Sequence, residues 1–348
     1  MRLTRSIGAI LILVTLGSCA SQPADAPASS QPGSANVVCM VTDTQGLGDR
    51  SFNDTAWRGV LLAQDELGID AVVRESSADS DYSSNIDDCL QMGSLLTVSV
   101  GFLIGSATEA AAQMYPDRDF VIVDFAYEQT YPNVLGLTFS TDQAAFLAGY
   151  LAAGVSKTGK VGTFGGIQIP TVTIFMDGFV HGVRYYNETH ETDVQVLGWD
   201  PELGLGLFTN TFDVPTKGYN MGQALIDEGV DIIMPVAGGV GLGTALAASQ
   251  RGDVLLVGVD TDWVESSPEY ADIILTSVTK HMDIAVYEAT QSVLDGSFEG
   301  GIYTGTLANN GVGLAPFHAL EGLVSAELEA ELAKVEGRII GGSLEVNP

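Results

Sequence analysis

The chain has 348 residues, with 44 Asp and Glu against 14 Lys and Arg, so its formal net charge is −30. At about 150 residues per domain, this length predicts two domains that each bury a core. Hydrophobic residues make up 46% of the chain, which argues against a mainly disordered state. The negative charge argues against nucleic acid as a partner, because phosphate backbones would be repelled.

The chain opens with two arginines and a short apolar stretch, the pattern of an export signal. The stretch ends in Leu16-Gly17-Ser18-Cys19, which resembles a bacterial lipobox. Residues 1–19 are therefore predicted to be a lipoprotein signal peptide, and Cys19 to be the site of lipidation. An ordinary secretory signal with an incidental cysteine is the alternative. Residues 20–35 are rich in Pro, Ser and Ala and predict a flexible tether, so we expect a lipid-anchored protein facing the extracellular or periplasmic side of the cell membrane.

Short apolar runs alternate with stretches of helical periodicity along the rest of the chain. The predicted strands are residues 37–42, 96–102, 120–123, 161–164, 232–236 and 254–259. The predicted helices are residues 53–67, 84–93, 107–115, 142–153, 172–187, 216–228, 244–250 and 282–294. The alternation predicts an α/β fold with parallel sheets that are buried on both faces.

Residues 232–249 contain no charge, but Pro235 and several glycines interrupt them near the centre. A strand, a glycine-rich loop and a helix are therefore predicted here instead of a membrane span. With Cys19 assigned to lipid, Cys39 and Cys89 remain as a possible disulfide in an oxidising compartment. Two buried free thiols are the alternative.

Three predicted strands lead directly into an aspartate. These residues are Asp43, Asp124 and Asp260. Parallel sheets present ligand-binding groups at the carboxyl ends of their strands. Each aspartate alone could merely cap the next helix, but three together predict a polar site lined by carboxylates. Two such sheets facing each other would enclose a ligand.

Motifs for catalysis and metal binding are mostly absent from the sequence. The four histidines form no HxxxH pair, no GxSxG is present, and neither a catalytic site nor a metal site is predicted. Residues 154–160 come close to a phosphate-binding loop, but they follow a predicted helix and precede a predicted strand, the reverse of the required order. Residues 239–244 (GVGLGT) only partly match a dinucleotide fingerprint. Such a loop still brings backbone N–H groups near a small polar ligand.

The run at 42–59 (TDTQGLGDRSFNDTAWRG) resembles the signature of the basic membrane protein (BMP) lipoprotein family, the PnrA-like nucleoside-binding proteins of ABC importers. The resemblance continues, in order, through most of the chain after the signal peptide. Its further segments are residues 98–102, 120–124, 212–218, 237–241, 276–280 and 310–315. It implies the two-lobed type I periplasmic-binding architecture, in which each lobe is a parallel sheet flanked by helices. Lobe 1 would comprise residues 36–140 and 281–300, and lobe 2 residues 141–280 and 301–348.

The resemblance also implies an interlobe ligand site. A purine base would stack between Phe52 and Phe212, although core packing would be the simpler interpretation of each ring without the resemblance. Asp43 and Asp124 would lie near the base and accept hydrogen bonds from its N–H groups. Asp260 would accept from the ribose hydroxyls.

The remaining implied contacts are less specific. Lys280 would donate to the sugar and Gly238 would contribute backbone atoms. Ser51 precedes the stacking ring where nucleoside-binding relatives can carry Asn, which leaves base preference open. Asn53 is expected either to contact ligand or to cap a helix.

The resulting hypothesis is a substrate-binding protein that delivers guanosine, inosine or adenosine to ABC permease subunits. It would act as a monomer without a cofactor, and it would touch the membrane only through its lipid. Another planar or ribosyl solute, such as a flavin or a nucleoside-derived signal, is the first alternative. A nucleoside-processing enzyme, with cleft carboxylates as acid and base, and a structural surface antigen that binds no small molecule are the others.

Overall fold

The computed structural model of the protein describes residues 36–347. The predicted signal peptide, the tether and Cys19 lie outside these residues. All the predicted strands and helices are present, and their ends agree with the prediction within three residues.

The chain alternates between strands and helices from its first described residues. The strands are β1 Val37–Val41, β2 Asp70–Arg74, β3 Leu96–Val100, β4 Asp119–Val123, β5 Val134–Phe139, β6 Lys160–Gly165, β7 Gln195–Leu197, β8 Trp199–Asp200, β9 Leu205–Gly206, β10 Ile232–Val236, β11 Leu255–Asp260, β12 Ile274–Lys280, β13 Gly301–Gly305 and β14 Val312–Leu314. The helices are α1 Phe52–Leu67, α2 Tyr82–Gln91, α3 Gly105–Met114, α4 Thr141–Val155, α5 Pro170–His190, α6 Pro215–Asp227, α7 Gly241–Arg251, α8 Trp263–Ser266, α9 Met282–Asp295 and α10 Ala326–Ile340.

Two six-stranded sheets organise the chain into two lobes. The first sheet has the order β13-β5-β4-β3-β1-β2 and is parallel throughout. The second has the order β14-β12-β11-β10-β6-β7 and is parallel except at β14, which runs antiparallel to β12. We call the first sheet with its helices lobe 1 and the second lobe 2. The α/β architecture predicted from the alternation of apolar runs is confirmed.

The lobes are interleaved in sequence. The chain passes from β5 of lobe 1 into α4 of lobe 2, and α9 returns to pack on α1 of lobe 1. Strand β13 pairs with β5 in lobe 1, from Gly301↔Leu135 to Gly305↔Phe139. The predicted boundary at residue 300 assigned this strand to lobe 2. The boundary should follow Gly305, because β13 completes the first sheet before the chain passes into lobe 2.

The inner strands are apolar and buried because helices cover both faces of each sheet. Strand β3 and strand β10 are buried along their whole length. On one face of the first sheet, Cys39 of β1 forms a disulfide with Cys89 of α2, across a Cα–Cα distance of 5.6 Å. Both residues are fully buried. The structure therefore contains the Cys39–Cys89 disulfide, whereas the sequence alone could not decide between this disulfide and two free thiols.

Candidate functional site

The carboxyl ends of strands from both sheets face one cavity between the lobes. Seven of the predicted ligand-binding residues line it: Asp43, Phe52, Asp124, Phe212, Gly238, Asp260 and Lys280. Residues that lie far apart in the sequence meet here because both parallel sheets direct their carboxyl ends toward the cleft.

Lys280 is the charged centre of this cavity. Its ammonium Nζ lies 2.7 Å from Oδ2 of Asp124 and 3.5 Å from Oδ1 of Asp260, and all three side chains are buried. Asp124 belongs to lobe 1, whereas Lys280 and Asp260 belong to lobe 2, so the ion pair with Asp124 joins the lobes. The same ammonium lies over the rings of Phe52 at 4.9 Å and Phe175 at 5.3 Å. Aromatic faces attract a desolvated cation and help to hold it.

Burial and mutual attraction set the protonation of this cluster. Burial alone would lower the pKa of Lys280, but Asp124 and Asp260 outweigh it and raise that pKa above its usual value. Burial raises the pKa of the Asp124 carboxyl, against the opposing effect of Lys280. The lysine is therefore a firmly charged donor. With Asp43, the cavity holds three carboxyl groups against one ammonium.

Asp43 is positioned by the loop between β1 and α1. Its Oδ1 accepts hydrogen bonds from Nδ2 of Asn53 at 2.7 Å and from the backbone N–H of Gln45 at 2.9 Å. Burial raises the pKa of Asp43, and these two hydrogen bonds oppose the shift. The carboxylate therefore has a fixed orientation and keeps its other oxygen, Oδ2, for further hydrogen bonds.

Phe52 and Phe212 approach the cavity from different lobes. Phe52 is the first residue of α1, and Phe212 lies in the loop before α6. The Phe212 ring lies directly against the backbone of Gly166, where any Cβ would overlap the ring. The Gln45 side chain of lobe 1 donates to the carbonyl of Phe212. The Phe212 ring is thus positioned by neighbouring backbone, and both rings are only partly buried and line the cavity.

Ser51 and Asn53 lie behind the cavity wall. The Ser51 hydroxyl donates to Asp260 Oδ2 at 3.1 Å and to the carbonyl of Val259 at 3.2 Å. Asn53 is fully buried and donates to Asp43 and Asp49. Ligand contact was implied for Ser51, and either ligand contact or helix capping was expected of Asn53. The structure instead places them where they orient the carboxylates that face the cavity.

Gly238 follows β10 and has a left-handed φ of +52°. A Cβ there would come within 2.8 Å of the Gln45 side chain. Its backbone can thus lie close to Gln45 in the loop between β1 and α1 of the opposite lobe. Several lining residues were not singled out from the sequence. Gln45, Gly101, Phe102, Thr171 and Phe175 are among them. Gln45, Gly101 and Phe102 lie within the resembling segments, which is the signal that could have identified them.

Within residues 36–347, no cluster of three metal-ligating side chains occurs. In that same part of the chain, no helix has the length and apolar character needed to cross a membrane.

Comparison with known proteins identifies the family. The family described as "ABC transporter substrate-binding protein PnrA-like" matches residues 36–347. The chain belongs to this family. Among its relatives is the "ABC transporter nucleoside-binding protein BmpA" of Lactococcus lactis subsp. cremoris, 32% identical over 89% of this chain and 88% of the relative. An uncharacterized lipoprotein of Pyrococcus abyssi is 30% identical over 87% of this chain and 73% of its own length.

The fold agrees with this membership. A solved ABC transporter solute-binding protein from Aeropyrum pernix K1 superimposes with a TM-score of 0.80 at 29% identity, covering 89% of this chain and 92% of that one. The resemblance stated from the sequence is thereby confirmed. The protein is a substrate-binding protein of the ABC transporter type and not an enzyme.

Proposed function

We propose that the protein binds purine nucleosides in the interlobe cavity and presents them to an ABC permease from a lipid anchor at Cys19. The observation that carries the proposal is a single cavity with an aromatic ring from each lobe and a carboxylate–ammonium cluster beside them. Aromatic rings stack on the flat faces of a purine, and charged groups form strengthened hydrogen bonds with the hydroxyls of a ribose. The name of the Lactococcus relative, a nucleoside-binding protein, supports the same ligand class.

Each group has a role in this proposal. Phe52 and Phe212 stack on the two faces of the base, each stack contributing roughly 1–3 kcal/mol. Asp43 accepts hydrogen bonds from the N–H groups at the edge of the base. Asp260 accepts both hydroxyls of the ribose diol, since a carboxylate has two oxygens and its charge strengthens each bond.

Asp124 takes a different role from the one that the resemblance implied. Its carboxylate is engaged with Lys280, next to Asp260. We therefore assign it to the sugar end of the ligand, where it holds the ammonium in place. Ser51 and Asn53 support the proposed binding through Asp260 and Asp43.

Titration calorimetry with guanosine, inosine, adenosine, uridine and riboflavin tests the proposal. We expect the three purine nucleosides to bind and the smaller uridine ring to bind more weakly, because it offers less stacking area. Tight binding of riboflavin without guanosine binding would favour the alternative planar ligand. Release of free base from inosine during incubation would contradict a pure binding role.

Native mass spectrometry of protein purified without added ligand gives an independent measurement. A co-purified mass equal to a purine nucleoside, lost after unfolding and refolding, is the expected result. A variant with Asp43→Ala provides the matched control, since it should lose the co-purified nucleoside while keeping the fold.

A further inference from the structure

Phe212, the lobe 2 ring of the proposed aromatic sandwich, lies on an exposed loop between β9 and α6. The ring packs on the backbone of Gly166, but residues 213–217 beside it are exposed. In the part of the chain that the structure describes, residues 211–214 make one hydrogen bond beyond their own loop and α6. It joins the carbonyl of Phe212 to the side-chain amide of Gln45 in lobe 1. The position of the ring therefore depends on an anchor that comes from the opposite lobe.

Gln45 is itself held in place within lobe 1. Its backbone N–H donates to Oδ1 of Asp43 at 2.9 Å, and the N–H of Leu47 donates to Oε2 of Glu75 at 2.9 Å. The loop between β1 and α1 is therefore braced on both sides of Gln45. It presents the Gln45 side chain to lobe 2 from a fixed backbone, so that the amide can serve as an anchor.

Two glycines of lobe 2 leave room for the Gln45 side chain. A Cβ at Gly238 would lie 2.8 Å from Oε1 of Gln45, and a Cβ at Gly239 would lie 3.4 Å from its Nε2. The amide of Gln45 thus lies against the turn after β10 as well as against the loop of Phe212. The glycine-rich turn, the Phe212 loop and Gln45 together form one contact between the lobes.

We propose that Gln45 is a positioning residue that couples closure of the lobes to stacking of the base. This inference rests on the proposed nucleoside function. Gln45 belongs to lobe 1 and Phe212 to lobe 2, so the hydrogen bond between them exists only while the lobes are closed. The second ring of the sandwich is then fixed against the base after the nucleoside has entered. Opening of the lobes releases the ring and the nucleoside together.

Stopped-flow binding of guanosine to the full-length protein tests this role. Gln45→Met keeps the length of the side chain and removes its amide. It should weaken binding roughly two- to tenfold, as expected for one hydrogen bond, and almost all of the loss should be faster dissociation. Association should change little, because the nucleoside meets the open lobes. Gln45→Asn keeps the amide but shortens its reach, and it should behave like Gln45→Met.

A double-mutant cycle with Phe212→Ala shows whether Gln45 acts through the ring. In the Phe212→Ala background, the same hydrogen bond holds a loop that offers no ring to the base. The entropy lost in ordering that loop offsets what one hydrogen bond contributes. Gln45→Met should therefore weaken guanosine binding by less than about twofold in this background. An equal loss in both backgrounds would show that Gln45 contacts the ligand directly or merely holds the lobes together, and would overturn the inference.

Arg50 provides the matched control from the same loop. Its guanidinium forms an ion pair with Glu269 of lobe 2, and neither residue lines the cavity. Arg50→Gln breaks this other contact between the lobes, so any loss of affinity should be the same with and without the Phe212 ring. Unchanged dissociation of guanosine from Gln45→Met overturns the inference alone. Wild-type affinity of Phe212→Ala, or absence of binding by every nucleoside, overturns the proposed function as well.

Discussion

Asp124 and Asp260 reach the same ammonium from opposite lobes, and both have a left-handed backbone conformation, with φ of 62° and 68°. They also occupy equivalent places at the ends of β4 and β11. Strand β4 is the fourth strand from the β2 edge of the first sheet, and β11 is the fourth strand from the β7 edge of the second. A left-handed conformation at a residue other than glycine costs roughly 1–2 kcal/mol. Both of these residues direct their carboxylates at Lys280. Backbone strain of this kind is concentrated at ligand sites.

The stacking rings give the first prediction. Phe52→Ala and Phe212→Ala should each weaken nucleoside binding by roughly 1–3 kcal/mol, because each removes one face of the aromatic sandwich. Calorimetry with guanosine measures the loss. Phe298→Ala changes a partly buried ring that does not line the cavity and serves as the control. Wild-type affinity in both cavity variants would return the two rings to a packing role.

The disulfide gives a prediction about stability. It closes a loop with a sequence separation of 50 residues. Restricting the unfolded chain in this way stabilises a protein by about 2–4 kcal/mol. The doubly substituted Cys39→Ala, Cys89→Ala variant should therefore unfold at clearly lower urea concentration than the oxidised wild type. In the unfolded wild type, Cys39 and Cys89 should accept an alkylating label only after reduction; labelling of these two residues without reduction, located by peptide mapping, would contradict the bridge.

The predicted anchor is tested by fractionation of cells. Cys19→Ala removes the thiol that would carry the lipid, so the protein should leave the membrane fraction. Ser18→Ala keeps a small residue before the cysteine and should leave the distribution unchanged. Membrane association that persists in the Cys19→Ala variant, and is released only by detergent, would count against acylation.

Asp49 predicts how stability depends on pH. Its carboxylate accepts hydrogen bonds from the backbone N–H groups of Ser51, Asn53 and Asp54 at the start of α1. Burial nevertheless raises the pKa of Asp49 from 3.8 to about 6. The folded protein therefore binds this proton more tightly than the unfolded chain. The contribution of Asp49 to stability increases as the pH falls through 6 toward 4, and it is absent above about pH 7.

Urea unfolding at pH 7.5 and pH 5.0 measures this contribution. Asp49 should make the wild type roughly 1–1.5 kcal/mol more stable at pH 5.0 than at pH 7.5. Asp49→Asn should narrow the difference between the two pH values by that amount. The exposed Asp87→Asn variant should keep the full difference. An unchanged pH difference in Asp49→Asn would show that Asp49 does not titrate in this range.

Strands buried on both faces were the most predictable part of the fold. Strands such as β3 and β10 are continuous apolar runs, and that pattern identifies them without any structure. Strand β2 is only partly buried at a sheet edge and begins with Asp70, so it gave no such run. Strand β5 was not predicted either, because Gly136 interrupts its apolar run. Helix α10, near the end of the chain, was missed although its apolar residues recur at helical spacing.

Most residues that line the cavity could be predicted from the sequence, but the contacts between them could not. The three aspartates could be placed at the same edge because strand ends meet there. Which of them would hold Lys280 depends on how the lobes face each other, and that arrangement is not encoded in any local pattern. For the same reason, Ser51 and Asn53 could not be distinguished from ligand contacts, since each lies next to Phe52 in the sequence while pointing behind the wall.

The sugar gives the most discriminating prediction. If Asp260 accepts both ribose hydroxyls, 2′-deoxyguanosine removes one donor and leaves a buried carboxylate oxygen without a ligand partner. Such a loss costs about 1–3 kcal/mol, and more for a charged group. Binding should therefore weaken roughly tenfold or more from guanosine to 2′-deoxyguanosine, and the free base guanine should bind more weakly still.

Two variants then locate the effect. Asp260→Ala should abolish most of the difference between guanosine and 2′-deoxyguanosine, because the acceptor that loses its partner is gone. Asp43→Ala should weaken both ligands while keeping their ratio, since Asp43 is assigned to the base. Equal affinities of the wild type for guanosine, 2′-deoxyguanosine and guanine would refute the role of Asp260. They would indicate a receptor that recognises only the planar ring, held by Phe52 and Phe212.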